Sequence, residues 1–222
     1  MLSAAAAPLI VRHSVSDQVL TELRRRIVQG VLPEHSTLPE SQCAEIFGVS
    51  RVPVREALIQ LERDGLLRAD VRGKTVIRAF GAQDHLEISS VRLELEGLAA
   101  RLAATARTAK DIFILQQNIE AFDAATSPEE LARLDVEFHQ LLCAAAHQEW
   151  LAVAWQAIRW PFEAILVRNF RNYVEATSIA DSKASTADHG RILDAIVSQD
   201  AALAETLLRQ HISRWGEWTP AA

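Results

Sequence analysis

Four side chains in the second half of the chain could together bind a divalent transition metal. Asp135 and His139 are spaced i, i+4 in the largely apolar run 134–142, so a helix would place both on one face. His189 and His211 each lie on or beside the apolar stripe of a separate later segment. One carboxylate with three imidazoles is a mixed oxygen and nitrogen ligand set for such a metal. Any one of these histidines alone is more typical of a hydrogen-bonded core residue, so the metal hypothesis requires all four residues to meet.

A second group of residues, in the first third of the chain, could read DNA. Arg51 and Arg55 are four residues apart at the start of a predicted helix, so they project together beside its apolar stripe. Arginine can bind guanine O6 and N7 bidentately, or it can bind a phosphate. Ser50 stands at the N-cap position and Pro53 in the first turn. The alternative is an ordinary capped surface helix with two solvated arginines.

The neighbouring residues favour the DNA-binding interpretation. A short helix that ends at Gly48 precedes the arginine-bearing helix, and two helices around such a turn form a helix-turn-helix. Residues 65–78 form two strand-like runs around a turn, with Arg72, Gly73 and Lys74 at its tip. A basic hairpin beside a helix-turn-helix can contact the DNA backbone or the minor groove. We therefore predict a winged helix-turn-helix that binds double-stranded DNA.

This stretch resembles the DNA-binding signature of the GntR family of bacterial winged-helix transcription regulators. The resemblance lies in Leu38-x-Glu40, in residues 44–58 and in residues 61–66. The basic residue that often follows the glutamate in this family is Ser41 here, which puts one DNA contact in doubt. The resemblance implies that the second helix and the wing face the DNA through Ser50, Arg51, Arg55, Arg72, Gly73 and Lys74.

The rest of the chain is predicted to be helical. Pro161 falls inside one apolar-periodic segment and predicts a kink there. Six such helices would form an antiparallel bundle whose core could hold a ligand. The expected fold is therefore mainly α, with an N-terminal winged helix-turn-helix and a C-terminal six-helix bundle. The periodic segments are 84–106, 108–124, 128–147, 149–171, 178–199 and 200–217.

This helical region resembles the FCD effector domain of the FadR subfamily of GntR regulators. The pattern begins with an Arg-x-x-x-Glu, which is Arg92 and Glu96 here. It continues with Asp-x-x-x-His and two later histidines, which are Asp135, His139, His189 and His211. The resemblance implies that this last group holds a divalent metal, with zinc expected and nickel or manganese as alternatives. It also implies that a small organic acid completes the metal shell.

Arg92 is the candidate residue for binding the organic acid. A divalent metal with one carboxylate ligand keeps a net positive charge and attracts an anion. An arginine near it could hold a carboxylate bidentately. The alternative is a surface Arg92 paired with Glu96 one helical turn away. Because the first bundle helix follows a short linker at 79–83, an acid that moved Arg92 would also act on the DNA-binding domain.

Charge and composition support a two-domain organisation. The chain has 222 residues and a net charge of −6, but residues 1–80 carry +2 and residues 81–222 carry −8. The basic charge therefore accompanies the DNA-binding motif, and the acidic part would be repelled by DNA. The expected division is a flexible tail over 1–13, a winged helix-turn-helix over 14–79, and an FCD metal- and effector-binding domain over 80–222.

Cysteine use and hydropathy predict a cytoplasmic protein. Cys43 and Cys143 lie on separate predicted helices and need no disulfide, which fits a reducing compartment. The alanine-rich opening lacks a basic leader, and the sequence contains no apolar run long enough to span a membrane.

Two classes of function fit these motifs. The favoured class is a metabolite-responsive repressor that binds a palindromic DNA operator as a homodimer. The other is a metal-dependent hydrolase or lyase that uses the same Asp/His site. The sequence contains no His-Glu-x-x-His and no Gly-x-Ser-x-Gly, and Glu137 is predicted to point away from the ligands, so we expect no enzyme. A third hypothesis is a regulator whose metal is purely structural.

Overall fold

The computed structural model describes residues 14–216 of the chain. Its N-terminal part is a helix-turn-helix followed by a two-stranded antiparallel hairpin, in which Leu67 pairs with Ile77 and Ala69 with Thr75. This confirms the predicted winged helix-turn-helix. The elements of this part are α1 (Val15–Val28), α2 (Glu40–Phe47), α3 (Arg51–Arg63), β1 (Leu67–Ala69) and β2 (Thr75–Ile77).

Local sequence explains where these elements begin and end. Ser14 and Asp17 form a capping box that starts α1. Gly48 adopts the left-handed conformation, with φ of 64°, that ends α2 and turns the chain into α3. The apolar stripe of α3 is buried against α1 and consists of Val54, Ala57, Leu58 and Leu61. Helix α3 is therefore held by its apolar face, which leaves the face with the arginines exposed.

The C-terminal part is the predicted helical bundle. Helix α4 packs along α10, α6 along α7, and α5 against both α6 and α9. The helices of this part are α4 (Ala82–Ala106), α5 (Ala109–Ala124), α6 (Pro128–Ala145), α7 (Glu149–Ala176), α8 (Ile179–Ser182), α9 (Ala184–Val197) and α10 (Ala201–Gly216). None of the helices among residues 14–216 is both long and apolar enough to cross a membrane.

Two helix boundaries differ from the sequence prediction. Helix α7 continues to Ala176 instead of ending at residue 171, because no proline or glycine interrupts it there. The segment predicted as one helix over 178–199 is divided at Lys183. Ser178 caps the short first piece by accepting a hydrogen bond from the Asp181 N–H, and α9 then begins as a separate helix.

Candidate metal centre and DNA-binding surface

The structure brings together the four side chains that the sequence suggested as metal ligands. Helix α6 supplies Asp135 and His139, α9 supplies His189, and α10 supplies His211. One potential ligand atom from each residue lies within 4.8 Å of the others, and all four side chains are buried. One carboxylate oxygen of Asp135 is 3.6 Å from His139 Nε2, and the other is 3.5 Å from His189 Nε2.

Several polar atoms of this cluster have no hydrogen-bond partner within the described residues. They are Oδ1 of Asp135, Nε2 of His139 and both ring nitrogens of His189. A buried polar group without a partner destabilises a fold by about 1–3 kcal/mol. A divalent cation bound by one oxygen and three nitrogens would satisfy several of these atoms at once. The residues therefore fit a metal ion.

A carboxylate and an arginine stand behind one of these imidazoles. Glu96 Oε2 lies 2.5 Å from His139 Nδ1, on the side of the ring away from Asp135. The other carboxylate oxygen accepts a hydrogen bond of 2.5 Å from Arg92 Nε. Carboxylates in this position orient a ligating histidine and strengthen it as a donor. Burial by itself would raise the pKa of Glu96. The neighbouring Arg92 and His139 outweigh that effect and lower the pKa to about 2, so the carboxylate is ionised.

His211 of α10 also has a carboxylate and an arginine on the side of its ring away from the cluster. His211 Nδ1 lies 3.4 Å from Oδ2 of Asp188, which also contacts Arg214 Nη2 at 2.5 Å. Asp188 immediately precedes His189, so α9 provides one candidate ligand and supports another. The Nε2 atom of His211 is the ring nitrogen that could then bind a metal ion.

Burial also controls the protonation of the four residues. It raises the pKa of Asp135 to about 6, against the lowering influence of His211 and Arg92. It lowers the pKa of each of the three imidazoles, most strongly that of His189. Neutral imidazole is the form that coordinates a metal. A cation at the centre would in turn favour the ionised form of the buried carboxyl group.

Arg92 lies in the core beside this cluster. Its side chain is 3% exposed, so the ion pair with Glu96 is present but is not on the surface, as the alternative interpretation expected. Its guanidinium carbon lies 3.7 Å from the centre of the Phe162 ring and 5.8 Å from that of Trp155. An i, i+4 spacing predicts the ion pair equally well on a buried or an exposed face, so only the packing of α4 against α6 and α7 decides between them.

The predicted DNA-contacting residues of α3 lie at its exposed start. Ser50 is the N-cap residue, but its side chain makes no capping hydrogen bond. Arg51 and Arg55 are both exposed. Arg55 is held by Glu40 at the start of α2, through Nε to Oε1 at 2.8 Å and Nη2 to Oε2 at 2.9 Å. The sequence predicts an exposed arginine pair here but gives no signal for this contact between α2 and α3.

The wing tip is exposed and shaped by a local turn. Asp70 accepts hydrogen bonds from the N–H groups of Arg72 and Lys74, each 2.8 Å long. Gly73 between them has φ of 73°, which favours glycine. Arg55 and Lys74 line the same groove of about 420 Å³ between α3 and the hairpin. Helix and wing therefore present basic groups to one surface.

Comparison with known proteins identifies both halves of the chain. Residues 15–77 match the bacterial regulatory proteins of the gntR family, and residues 87–214 match the FCD domain. The chain belongs to the GntR family of regulators that carry an FCD domain. This confirms the family resemblance suggested by the motifs.

Two named regulators and one solved structure are similar to most of this chain. The HTH-type transcriptional regulator YdhC of Bacillus subtilis is 36% identical over 60% of this chain and 62% of its own length, so the matched stretch is less than two thirds of that relative. The "Probable D-xylose utilization operon transcriptional repressor" of Paenarthrobacter nicotinovorans is 29% identical over 95% of this chain and 91% of its own. The solved structure of Escherichia coli McbR/YncC has the same fold, with 22% identity, a TM-score of 0.73, and coverage of 90% and 94%.

Sequence reasoning did not assign three features of this GntR/FCD regulator. Asp188 was missed although it adjoins His189, and its role becomes visible only when α10 packs against α9. Trp155 and Phe162 could not be told apart from ordinary core residues, although their i, i+7 spacing places them on one face of α7. The sequence around His85 gives no functional signal, yet this residue is buried and its Nδ1 has no hydrogen-bond partner among the described residues.

The structure also bears on the enzyme alternative for this regulator. Glu137 was the nearest candidate for a general base in the sequence. It lies on the exposed side of α6, where its carboxylate pairs with Arg133 at 2.9 Å. A base must lie within hydrogen-bond reach of the reacting group, and this carboxylate faces away from the buried cluster on the same helix. The family assignment likewise indicates a transcription regulator.

Proposed function

We propose that the protein is a transcriptional repressor whose affinity for its operator changes when a small organic acid binds at a metal in the FCD domain. The observation that carries the proposal is the buried convergence of Asp135, His139, His189 and His211 in a domain that follows a winged helix-turn-helix. The name of the Paenarthrobacter relative, a probable repressor of a D-xylose utilization operon, supports repression as the effect on transcription.

In this proposal the four clustered residues hold a divalent metal, with zinc expected and nickel or manganese as alternatives. The donor set supports it, because one oxygen and three neutral imidazole nitrogens suit these ions. When bound, the metal would supply a Lewis-acidic centre for a carboxylate. Glu96 and Asp188 would orient two of the imidazoles, and Arg92 is the nearby cation that would receive the acid.

The DNA-binding half of the proposal concerns residues 14–79, and the effector half residues 80–222. A single winged helix-turn-helix contacts only a few base pairs, and specific recognition therefore needs two copies. We propose a homodimer on a palindromic operator. In each copy, α3 would enter the major groove and the wing would contact the backbone or the minor groove. The residues proposed to face the DNA are Ser50, Arg51, Arg55, Arg72, Gly73 and Lys74.

The test begins by isolating the operator. A duplex selected by the protein from a random DNA library is labelled, and its binding is followed by fluorescence anisotropy. Zinc-loaded and metal-free protein are then titrated with lactate, malate and citrate in the presence of the duplex. We expect at least one acid to change operator affinity by 5- to 150-fold in the zinc-loaded protein only.

The result separates three hypotheses. An equal response of metal-free and zinc-loaded protein, with the same acid midpoint, would mean that the metal is purely structural. Turnover of the acid, followed by NMR of the mixture over hours, would favour the enzyme alternative. Protein that binds no duplex above its non-specific affinity would contradict the proposal as a whole.

A further inference from the structure

Helix α7 contacts the candidate metal centre with one face. The Phe162 ring lies under the Arg92 guanidinium at 3.7 Å, and both side chains are buried. Trp155 lies on the same face, with its ring centre 6.3 Å from that of His139. A carboxylate that drew the guanidinium toward a metal would change its contact with this aromatic face. The ring would then have to repack, because close-packed interiors transmit such displacements.

The opposite face of α7 contacts the DNA-binding domain. The guanidinium carbons of Arg24, in α1, and of Arg159 lie 4.6 Å and 4.4 Å from the centre of the Trp160 ring. Arg24 is itself fixed by Asp64 at the end of α3, with a hydrogen bond of 2.7 Å. Residues 160 and 162 differ by about 200° around a helix, so their side chains project to nearly opposite sides. A single turn of α7 therefore contacts both the candidate metal centre and the DNA-binding domain.

Pro161 lies between these two aromatic residues. It has no N–H, so the helix lacks its hydrogen bond to the carbonyl of Ala157 and is softer at this point. Its Cγ atom lies 3.2 Å from the position that a Cβ of Gly65 would occupy, close to the end of α3. A change in the bend of α7 at this proline would therefore act on the base of the DNA-reading helix.

Further along α7, Arg171 fastens the two domains together. Its Nη1 donates a hydrogen bond of 2.8 Å to the carbonyl of Gln29, at the end of α1. Its Nε donates a hydrogen bond of 2.5 Å to Glu129, in the first turn of α6. The exposed Arg168 reaches toward Glu34 at 3.5 Å.

The contact between α1 and α7 has room to move. Val28 and Val167 line two cavities, of about 380 and 300 Å³, that flank this contact on either side. A densely packed junction would resist displacement, whereas a narrow contact between two cavities can shift without collision. The start of α4 is joined to the wing domain by residues 78–81 of the chain, and the half-exposed pair Arg78–Asp84 adds little to that connection.

We propose that α7 carries the effector signal to the DNA-binding domain, with Phe162 as the residue that senses Arg92 and Trp160 as the residue that passes the change to α1 and α3. The inference rests on the proposed function, because it names the route by which the same site is regulated. It differs from the linker route, in which α4 alone would transmit the motion.

A double-mutant cycle without any ligand tests this route. Phe162→Leu removes the ring under Arg92 while keeping an apolar side chain, and Trp160→Leu removes the contact with Arg24. Operator affinity is measured for both single variants and the double variant. We expect Phe162→Leu to change operator affinity at least about 5-fold, and to change it less than about 2-fold when Trp160→Leu is already present. The matched control is Trp150→Leu, an exposed tryptophan of the same helix.

A second measurement uses zinc-loaded protein and citrate as the probe, with hydrogen exchange followed by mass spectrometry. We expect citrate to change exchange in residues 24–31 and 160–171 of the wild type, and to leave residues 24–31 unchanged in Trp160→Leu. Metal content should stay equal in both proteins. Phe162→Met, which removes the ring but keeps more of its volume, is the second variant if Phe162→Leu folds poorly.

Two results would overturn the inference. The first is an additive cycle, in which Phe162→Leu has the same effect with and without Trp160→Leu. The second is loss of the citrate response in Arg78→Ala with full retention in Trp160→Leu, which would assign transmission to α4. A failure of the proposed function would look different, because no acid would then change wild-type operator affinity, while the ligand-free cycle would still report on the α7 route.

Discussion

Replacing Glu96 by glutamine should weaken both the fold and the metal centre. The substitution keeps the shape of the side chain but removes the charge that faces Arg92 at 2.5 Å and His139 at 2.5 Å. The carboxylate is fully buried, so Arg92 would be left as a buried cation without its partner. Removing one member of a buried ion pair destabilises a protein by about 3–5 kcal/mol.

The pKa of the same carboxyl group supports this magnitude. Burial raises the pKa of Glu96, yet Arg92 and His139 bring it to about 2, against an ordinary value of 4.5. A difference of this size corresponds to about 3 kcal/mol of stabilisation by the ionised form. Loss of a carboxylate behind a ligating histidine typically also weakens metal binding about 10- to 100-fold.

Two assays test this prediction on the same preparation. Urea unfolding of metal-free protein at pH 7 gives the free energy of unfolding, and zinc titration against a fluorescent chelator gives the metal affinity. The matched control is Glu137→Gln, which removes the exposed i, i+4 pair with Arg133 on α6. That change should reduce stability by only about 0.3–0.5 kcal/mol. If Glu96→Gln and Glu137→Gln had equal effects in both assays, the reasoning about the buried pair would be refuted.

The other predictions concern DNA, metal and assembly. Arg55→Ala should weaken specific operator binding by about 1–3 kcal/mol in a mobility-shift titration, with an unchanged circular dichroism spectrum; wild-type affinity would argue against base or phosphate contact. Lys74→Ala should instead weaken binding to all sequences alike and reduce the slope of log K against log salt by about 1. His189→Ala should lower bound metal, measured by mass spectrometry, and abolish the acid response, while metal-free operator binding persists. Analytical ultracentrifugation should show a dimer at micromolar concentration, and a monomer with or without operator would contradict the assembly.

Local features of this protein could be predicted from its sequence because they depend on short-range rules. Gly48, Ser50 and the apolar stripe of α3 specify a helix-turn-helix through backbone conformation and helical periodicity. The FCD domain was recognised from residue types at fixed spacings, and the four candidate ligands were named in the same way. Their binding of a metal, like the DNA contacts, stays a prediction.

Only the tertiary structure could decide which distant residues meet. His189 lies 50 residues after His139 in the chain, and helical periodicity tells which face is apolar but not which helix covers it. The same limit applies to Arg92, whose pair with Glu96 is local, whereas its burial against Phe162 depends on how α4 and α7 pack. The contacts of α7 with α1 join residues more than 130 positions apart, and no local signal in the sequence specifies them.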